Sequence, residues 1–470
     1  MKKAKFETSS GRRVFIQRAA AGASVLSTAG LVYANDDLPM QDEVRQSGLA
    51  GDIYDVLRES ILIGAFAVPV IGGFLSFLGA SFIPSSGESP EQMWNRLMRA
   101  RISDALLRLA QRDLVGLSEV SRLYKIAIES GNSDEIRAQS IAANTQFTAM
   151  VPGFQVRGEE AALLPLFAIA ATLHLALLRD MVLKGRDIGL SDGLVARYTS
   201  EMVVLIRRYT IYVDTHASST IDKARRDNPH STVGLAQNMP LSAMLIEKTK
   251  YQLTVLDLRD TWANLDPIRY PGKSRIKLDR EIFTPVIGWL GRKNSRPDVI
   301  PVWRRPSSPL SSLEVWDRMQ WRTRFIFGFD AMYEDGSVMS SGSRISNSHN
   351  VRVGKYINRV TAEATAGVYQ MRFRSNDGRW TKVGRDADDD TPIRRFDSSY
   401  SGHRLSSIRH VGIGMGAAEG AVRGCVLGFQ LIHPSGAPMP REALNSIAPK
   451  IAPQVLKWLE DEAIPNHGLI

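Results

Sequence analysis

The sequence has almost no cysteine, since Cys425 is the only one among 470 residues. A single cysteine excludes an internal disulfide framework and a zinc site built from cysteines. The eight histidines form no HExxH or HxH pair, the spacing by which zinc enzymes are often recognised. We therefore expect a protein that is not an enzyme and that holds no metal and no cofactor.

Other ligand-binding patterns are weak. Residues 412–417 (GIGMGA) mimic a dinucleotide loop, but no helical pattern follows them. The aspartates at 386, 388, 389 and 390 miss the spacing of a calcium loop, so a solvated loop is the expected reading. Paired arginines are scattered without interleaved aromatic residues, and nucleic acid is not an expected partner.

The formal charge of +10 is partly concentrated at the N-terminus, where residues 1–34 hold six basic groups and one acidic group. Arg12-Arg13 precede Phe15, an Ala- and Gly-rich apolar stretch follows, and Val32-Tyr33-Ala34 resembles a cleavage site. This order predicts an export signal of the twin-arginine kind, which carries folded proteins across a bacterial inner membrane. The protein is therefore expected in the periplasm or outside the cell, soluble until it meets a membrane.

Charge is also missing from residues 161–178, an uncharged run of 18 positions. As a helix the run would span roughly 27 Å, close to the thickness of a bilayer's hydrocarbon core. Pro165 and His174 interrupt it, and no belt of Trp and Tyr flanks it. These residues are compatible with three interpretations: a resident membrane span, a buried core helix, and a buried helix that can later enter a membrane.

Helical periodicity dominates residues 46–266. A second uncharged run, 61–82, is broken by Pro69 and glycines and predicts two short buried pieces. The segment 133–151 predicts a helix, capped by Ser133, that carries no charge after Arg137 and places Ser140, Asn144 and Thr148 on one face. This helix and the apolar run would form an antiparallel hairpin at the centre of a bundle.

Two blocks of this region carry a specific resemblance. Residues 163–180 (LLPLFAIAATLHLALLRD) resemble the central helix of the delta-endotoxins, the insecticidal crystal toxins of spore-forming bacteria. Residues 253–257 (LTVLD), 264–266 (NLD) and 278–284 (LDREIFT) resemble that family's junction between its helical bundle and its second domain. Both blocks occur in the family's order and at its separation.

The resemblance implies a bundle of about seven helices that inserts a hairpin, here about 133–184, into a target membrane. The residues expected to act in the inserting hairpin are Ser140, Asn144, Thr148, Leu164, Leu166, Phe167, Ala170, Leu173, His174, Leu175 and Leu178. The three polar residues would face a water-filled lumen, and the apolar helix would face lipid. His174 is expected to be a buried, hydrogen-bonded histidine rather than a pH trigger, and Arg179-Asp180 a structural ion-pairing site.

Residues 271–441 have a different pattern, with short alternating runs and turn dipeptides. Segments 325–336, 368–378 and 422–436 look like three copies of a strand that closes on an Asp-Gly or Ser-Gly turn. This pattern resembles the β-prism, the three-sheet architecture of jacalin-like lectins and of the delta-endotoxin second domain. Turn residues Asp335, Asn376, Asp377 and Ser435 are the candidates for receptor binding.

The expected architecture is thus a multi-domain α and β protein: a seven-helix-type bundle with a central apolar helix, followed by an all-β prism. The family's third domain has no room, and residues 442–470 predict only a helical tail, so the resemblance implies a shortened two-domain form. The leading hypothesis is a secreted pore-forming toxin-like protein whose partners are a target membrane, a surface receptor and, on insertion, further copies of itself. The alternative is a non-lytic carbohydrate- or surface-binding protein that uses the bundle as a scaffold.

Overall fold

The computed structural model describes most of the chain from residue 104 onward. The described ranges are 104–229, 236–271, 278–288, 290–291, 304–320, 323–345, 347–364, 367–384, 394–400, 402–411 and 420–432. The predicted export signal, the run 61–82, the aspartates of 386–390, the glycines of 412–417, Ser435 and the C-terminal tail lie outside them.

The first part of the described chain is helical. Its six α-helices are α1 (Asp104–Ser130), α2 (Ser133–Met150), α3 (Glu160–Lys184), α4 (Asp192–Asp227), α5 (Met239–Tyr251) and α6 (Asp257–Trp262). The cap of α2 is Asn132, whose side chain accepts from the backbone N–H groups of Asp134 and Glu135. The sequence had favoured Ser133 for this role, but Ser133 is the first helical residue.

The last part of the helical half, residues 239–265, is not one continuous helix. After α5 the chain makes a π-helical turn over Gln252–Leu256, then α6, then a 3-10 turn over Ala263–Leu265. The Thr254 hydroxyl donates to the Lys250 carbonyl at 2.9 Å within this stretch. Such hydroxyl bonds to a carbonyl one turn earlier compete with the regular ladder and bend helices.

The central helix is α3, as the sequence predicts, and every residue from Leu163 to Met181 is buried. Its Pro165 has no N–H to donate to the Ala161 carbonyl, which would normally accept it. The Tyr251 hydroxyl of α5 donates to that carbonyl instead, at 2.7 Å. The neighbouring helix thus satisfies the group that the proline leaves without a helical partner.

The β structure of the described residues consists of three antiparallel sheets and one short strand pair. Its strands are β1 (Ala236–Gln237), β2 (Ile282–Phe283), β3 (Ile287–Gly288), β4 (Leu290–Gly291), β5 (Leu310–Gln320), β6 (Thr323–Tyr333), β7 (Val338–Gly342), β8 (Asn347–Val351), β9 (Ile357–Ala364), β10 (Val368–Ser375), β11 (Trp380–Gly384), β12 (Arg394–Ser399), β13 (His403–His410) and β14 (Gly424–Leu431). The orders are β7-β6-β5-β8 in sheet I, β11-β10-β9-β12 in sheet II and β13-β14-β2 in sheet III, with β3 also paired to β14. A separate short pair joins β1 and β4.

The inner faces of sheets I, II and III meet in one hydrophobic core, which confirms the β-prism. Two predicted hairpins are present as β6-β7 and β10-β11, and their turns use Gly336 (φ 79°) and Gly378 (φ 83°) in the left-handed region. Sheet III differs from the simple repeat, since β14 pairs with β2 and β3 from the start of the β half.

Sheet III is buried on both faces because it joins the two halves. Leu427 and Phe429 point into the prism core, whereas Val426 packs with Leu241 and Leu245 of α5. Alternate residues of one strand therefore serve two different cores.

A buried ion pair crosses the same boundary. Arg280 lies between α6 and β2, and its Nε donates to Asp257 Oδ1 of α6 at 2.9 Å. Its Nη1 donates to His403 Nε2 of β13 at 2.6 Å. This arginine connects the last α-helix to the prism, in the block whose sequence resembles the delta-endotoxin junction.

Candidate membrane-inserting hairpin

The candidate site is the hairpin formed by α2, the connection 151–159 and α3. Between Arg137 and Arg157 the chain has no charge, and neither have residues 161–178. The connection begins with a 3-10 turn over Val151–Phe154 and continues through exposed Arg157, Gly158 and Glu159. The hairpin therefore has two uncharged arms and a short, charged tip.

The apolar arm is enclosed by the rest of the protein. All the candidate residues on it are buried: Leu164, Leu166, Phe167, Ala170, Leu173, His174, Leu175 and Leu178. Among the described residues one helix, α3, is long and apolar enough to cross a membrane. Because 89% of its most apolar segment is buried, the fold hides that segment from water.

The polar residues of α2 do not share one environment. Ser140 and Asn144 are buried and face α3, whereas Thr148 is exposed and donates to the Asn144 carbonyl at 2.8 Å. Positions four apart drift by about 40° around a helix, so three of them cover a wide arc. The predicted stripe is therefore split between the bundle interior and the surface.

His174 links both arms of the hairpin to α4. Its Nε2 lies 2.9 Å from Asn144 Oδ1 and its Nδ1 lies 3.0 Å from the Tyr209 hydroxyl. Since the amide oxygen can only accept, Nε2 carries the hydrogen and Nδ1 accepts from Tyr209. Phe147 stacks on the imidazole with a centroid distance of 5.6 Å. Burial lowers the pKa of His174 to about 3, as expected for a neutral, structural histidine.

Other polar groups of α3 bind elements outside the hairpin. Thr172 Oγ1 accepts from Trp262 Nε1 of α6 at 2.8 Å. Asp180 accepts from the Tyr124 hydroxyl of α1 at 2.6 Å and pairs with Lys184 at 3.0 Å. The predicted ion-pairing role of Asp180 is thus present within α3.

Arg179 follows a different pattern from its neighbour Asp180. Its guanidinium is buried and donates to the carbonyls of Leu265 and Tyr270, at 2.9 and 2.6 Å. These carbonyls belong to the segment that leaves the bundle for the prism. Arg179 therefore fixes the end of the apolar run to the exit of the helical half.

The exposure of an uncharged outer face on α2 could not be predicted from the sequence. Its exposed residues in the second half of the helix are all uncharged: Ile141, Ala142, Thr145, Gln146, Thr148 and Ala149. Alanine and threonine spacing alone gave no reason to place them on the surface. The folded protein thus presents an uncharged, exposed face on one arm of the hairpin.

The candidate receptor residues of the prism have structural roles in their turns. Asp335 Oδ1 accepts from Ser337 N at 3.0 Å, and Asp377 Oδ1 accepts from Arg379 N at 3.2 Å. Asn376 Oδ1 accepts from Lys355 N at 3.0 Å and joins two neighbouring loops. Hydrogen bonding from the serines beside it holds the pKa of the exposed Asp335 carboxyl well below its usual range.

The chain contains one Gly-x-Ser-x-Gly pattern, at residues 189–193. Its Ser191 is the N-cap of α4 and accepts from Leu194 N at 3.3 Å. A nucleophile elbow requires a strand before the serine, whereas α3 and a short turn precede this one. The pattern is a helix cap.

The two halves together define a helical bundle with a buried apolar hairpin, followed by a β-prism. Residues 145–240 match the family described as delta endotoxin, N-terminal domain. The chain is 29% identical over 242 residues to the pesticidal crystal protein Cry1Ic of Bacillus thuringiensis, a stretch covering 48% of this chain and 32% of that protein. The match thus spans about a third of that relative's length.

Solved structures show the same fold over a longer part of the chain. The insecticidal crystal protein Cry7Ca1 of Bacillus thuringiensis has a TM-score of 0.59 at 18% identity, over 82% of this chain and 76% of that one. PirB has a TM-score of 0.58 at 15% identity, over 81% of this chain and 96% of that one. Residues 145–240 thus resemble the delta-endotoxin N-terminal domain, and the helical and β-prism halves have the fold of the crystal toxins.

Proposed function

We propose that the protein is a secreted pore-forming toxin that binds a cell-surface receptor through its β-prism and inserts the α2-α3 hairpin into the target membrane. The observation that carries the proposal is α3 itself, a buried helix whose residues 161–178 are uncharged and long enough to span a membrane. The sequence similarity to pesticidal crystal proteins supports the toxic activity.

The hydrogen bonds of the hairpin support movement of α2 and α3 as one unit. The Asn144–His174 bond lies within the hairpin, whereas Tyr209, Trp262 and Tyr124 bind α3 from other helices. Release requires these external bonds to break, but the internal bond can persist. A polar pair satisfied between two helices is tolerated in a lipid environment, where unpaired polar groups are costly.

The charges of the hairpin lie near its ends. Asp134, Glu135 and Arg137 open α2, and Arg179, Asp180 and Lys184 close α3 at the same end of the hairpin. The uncharged run of α3, residues 161–178, covers 18 residues, roughly 27 Å as a helix, which matches the hydrocarbon core. The uncharged part of α2, residues 138–150, covers 13 residues, roughly 20 Å as a helix. This arm therefore needs the neutral residues 151–156 of the connection to cross the core with its charges near the two interfaces.

The prism has the features of a binding domain on a rigid support. Its turns at 334–337 and 376–379 are held by Asp335, Asn376 and Asp377 and project from sheets with a shared core. Rigid elements that present short loops are a frequent basis for recognition. We propose these turns as receptor contacts, together with export through the predicted twin-arginine signal and assembly of several copies in the membrane.

A charge on the outer face of α2 tests insertion without disturbing the soluble fold. Ala170 and Leu175 are fully buried, so a charge at either would test folding instead. Ala149→Glu alters an exposed position near the middle of the uncharged run 138–156, and Ala142→Glu alters one near its charged end. An acidic group near the bilayer centre costs about 3 kcal/mol, which predicts roughly a hundredfold slower dye release from lipid vesicles for Ala149→Glu and a smaller effect for Ala142→Glu.

The matched control is Ser218→Glu on the exposed face of α4, which should leak dye at the rate of the parent. Equal leakage by parent and α2 variants would show that α2 does not enter the bilayer. If the parent itself releases no dye under any condition, including after protease treatment, the non-lytic surface-binding alternative replaces the proposal.

A further inference from the structure

His174 is the single titratable side chain in the two uncharged runs of the hairpin. The runs are residues 138–156 and 161–178, and neither contains Asp, Glu, Lys, Arg, Tyr or Cys. All other titratable side chains of the hairpin therefore lie at its tip or at its charged end. Whichever part of these runs lines a pore, its charge between the two interfaces can change only at this residue.

The two ring nitrogens of His174 have partners of different kinds. Nε2 donates to Asn144 Oδ1 at 2.9 Å, within the hairpin, and Nδ1 accepts from the Tyr209 hydroxyl at 3.0 Å. Tyr209 belongs to α4, which is outside the inserting unit. Insertion of α2 and α3 without α4 therefore keeps the Asn144 bond and leaves Nδ1 as an acceptor with no donor.

The His174–Asn144 pair lies at a similar depth on both helices of the hairpin. His174 comes five residues before Arg179, and Asn144 comes seven residues after Arg137. At about 1.5 Å per residue these separations place the pair about 7–10 Å inside the charged end. The pair therefore lies within the hydrocarbon core when the charges stay at the interface.

An imidazole at this depth is expected to face water. An unpaired polar group in hydrocarbon is costly, and ionisable side chains of membrane helices face a water-filled cavity or a partner. Asn144 satisfies one edge of the ring and leaves Nδ1 without a partner. The favourable orientation turns Nδ1 toward the lumen of the pore, where water replaces Tyr209 as the donor.

Water at Nδ1 also permits protonation of the ring. A solvated imidazole titrates near about pH 6.5. The Asn144 oxygen accepts the Nε2 hydrogen from the neutral ring and from the imidazolium alike. Proton uptake at Nδ1 therefore breaks no bond of the hairpin.

The folded protein, by contrast, keeps the ring among neutral groups. It meets Asn144 and Phe147 from α2, and from α4 it meets Tyr209, a phenol that keeps its proton below about pH 9. The first charges along its own helix, Arg179 and Asp180, bond to the exit segment and to α1. The other helices bond to α3 away from the ring, through Tyr124, Tyr251 and Trp262. The titration therefore belongs to the inserted hairpin.

We propose that His174 sets the ion selectivity of the pore by adding one positive charge per copy when it is protonated. This inference rests on the proposed insertion of the hairpin and on several copies sharing one pore. Rings of like-charged side chains select ions of the opposite charge. The pore should therefore pass chloride better, relative to potassium, as the pH falls through the titration of the imidazole.

The test measures the reversal potential of the full chain in planar phosphatidylcholine bilayers that separate two concentrations of KCl. From about pH 8 to about pH 5 the ratio of chloride to potassium permeability should rise about fivefold in the parent. In His174→Gln, whose amide can still donate to Asn144 but does not titrate, the ratio should change less than about twofold. The matched control is His216→Gln on α4, outside the hairpin, which should follow the parent.

A second variant keeps the test decisive if melting curves show that His174→Gln does not fold. Asn144→Leu removes the acceptor that stabilises the imidazolium, so the midpoint of the selectivity change should move down by about one pH unit. An unchanged midpoint would contradict the persistent bond between the two residues.

Conductance with a selectivity that does not depend on pH overturns the proposal and leaves the pore itself in place. A change of selectivity that His174→Gln retains overturns it too, because carboxylates at the ends of the hairpin would then explain the titration. Absence of conductance at both pH values counts against pore formation itself, and this inference fails with it. The failure of the selectivity mechanism is thus distinguishable from the failure of the proposed function.

Discussion

His174 lies in the middle of an apolar helix, and its ring nitrogens meet only the neutral groups of Asn144 and Tyr209 among the described residues. Its folded-state pKa is lowered from 6.5 to about 3 because burial disfavours the charged imidazolium. The unfolded chain therefore takes up this proton first as the pH falls. The stability that depends on the neutral ring is complete above pH 6.5 and is lost between pH 6.5 and about 3.

A His174→Gln variant removes this titration. The free energy of unfolding of the parent should fall by about 1.4 kcal/mol more per pH unit than that of the variant between pH 6 and 4. Urea denaturation of both proteins at several pH values gives the difference. The comparison cancels other groups such as Asp180, whose pKa burial raises. Parallel pH profiles would show that His174 does not stay neutral in the fold.

The residues of α3 show how far the sequence alone could go. The absence of charge from 161 to 178 left a membrane span, a core helix and a buried helix that later enters a membrane as alternatives, and the structure shows the segment as a buried helix. The partners of Thr172 and Arg179 could not be predicted, since Trp262 and the Leu265 and Tyr270 carbonyls lie 86 to 91 positions away in sequence. Contacts at such separations depend on how the helices pack rather than on a local pattern.

Among the elements, α3 and α5 are connected by a hydrogen bond that the proline of α3 makes possible. The Ala161 carbonyl, left without a helical donor by Pro165, accepts from Tyr251 at 2.7 Å. This contact explains how the bundle tolerates a proline in its central helix. It also attaches the apolar arm of the hairpin to a helix that packs on sheet III.

A double-mutant cycle tests this connection. Tyr251→Phe should lower the free energy of unfolding by about 1–2 kcal/mol, because a buried carbonyl loses its donor. In a Pro165→Ala background the helix supplies an N–H of its own, so the same change should cost clearly less. Equal costs in both backgrounds, measured by urea denaturation, would mean that Tyr251 does not substitute for the missing helical bond.

Among the sheets, the sequence predicts the local hairpins but not the pairing of distant strands. The turns after β6 and β10 contain Asp-Gly pairs and predicted their hairpins correctly. Sheet III could not be predicted in the same way, because β2 and β3 are only two residues long and pair with a strand some 140 positions later. Strand β14 is mainly apolar because both of its faces are buried. Turn residues in the sequence do not indicate whether a strand is buried on one face or on both.

In the whole molecule, the junction of the two halves contains a buried ion pair. Arg280 donates to Asp257 and His403, and all three side chains are buried. Removing one partner of such a pair leaves an uncompensated charge, at a cost of about 3–5 kcal/mol. The contact therefore couples the stability of the bundle to that of the prism.

Arg280→Gln should uncouple the two halves. Differential scanning calorimetry is expected to show one unfolding transition for the parent and two separated transitions for the variant. The matched control is Arg305→Gln, whose pair with Asp279 lies 3.0 Å apart on the surface of the same junction, and it should behave like the parent. A single unshifted transition for Arg280→Gln would refute the coupling.

The central claim is that the α2-α3 hairpin leaves the bundle and enters the membrane, and a fluorescent label on α2 tests it most directly. The native Cys425 is fully buried, so a cysteine placed at exposed Ala142 can be labelled selectively with an environment-sensitive dye, and one at Ser218 of α4 serves as the reference. When the protein releases the contents of lipid vesicles, we predict a blue shift at position 142 and quenching by lipid-embedded quenchers, with neither change at position 218. Release of vesicle contents while the label at 142 stays in water would contradict the account.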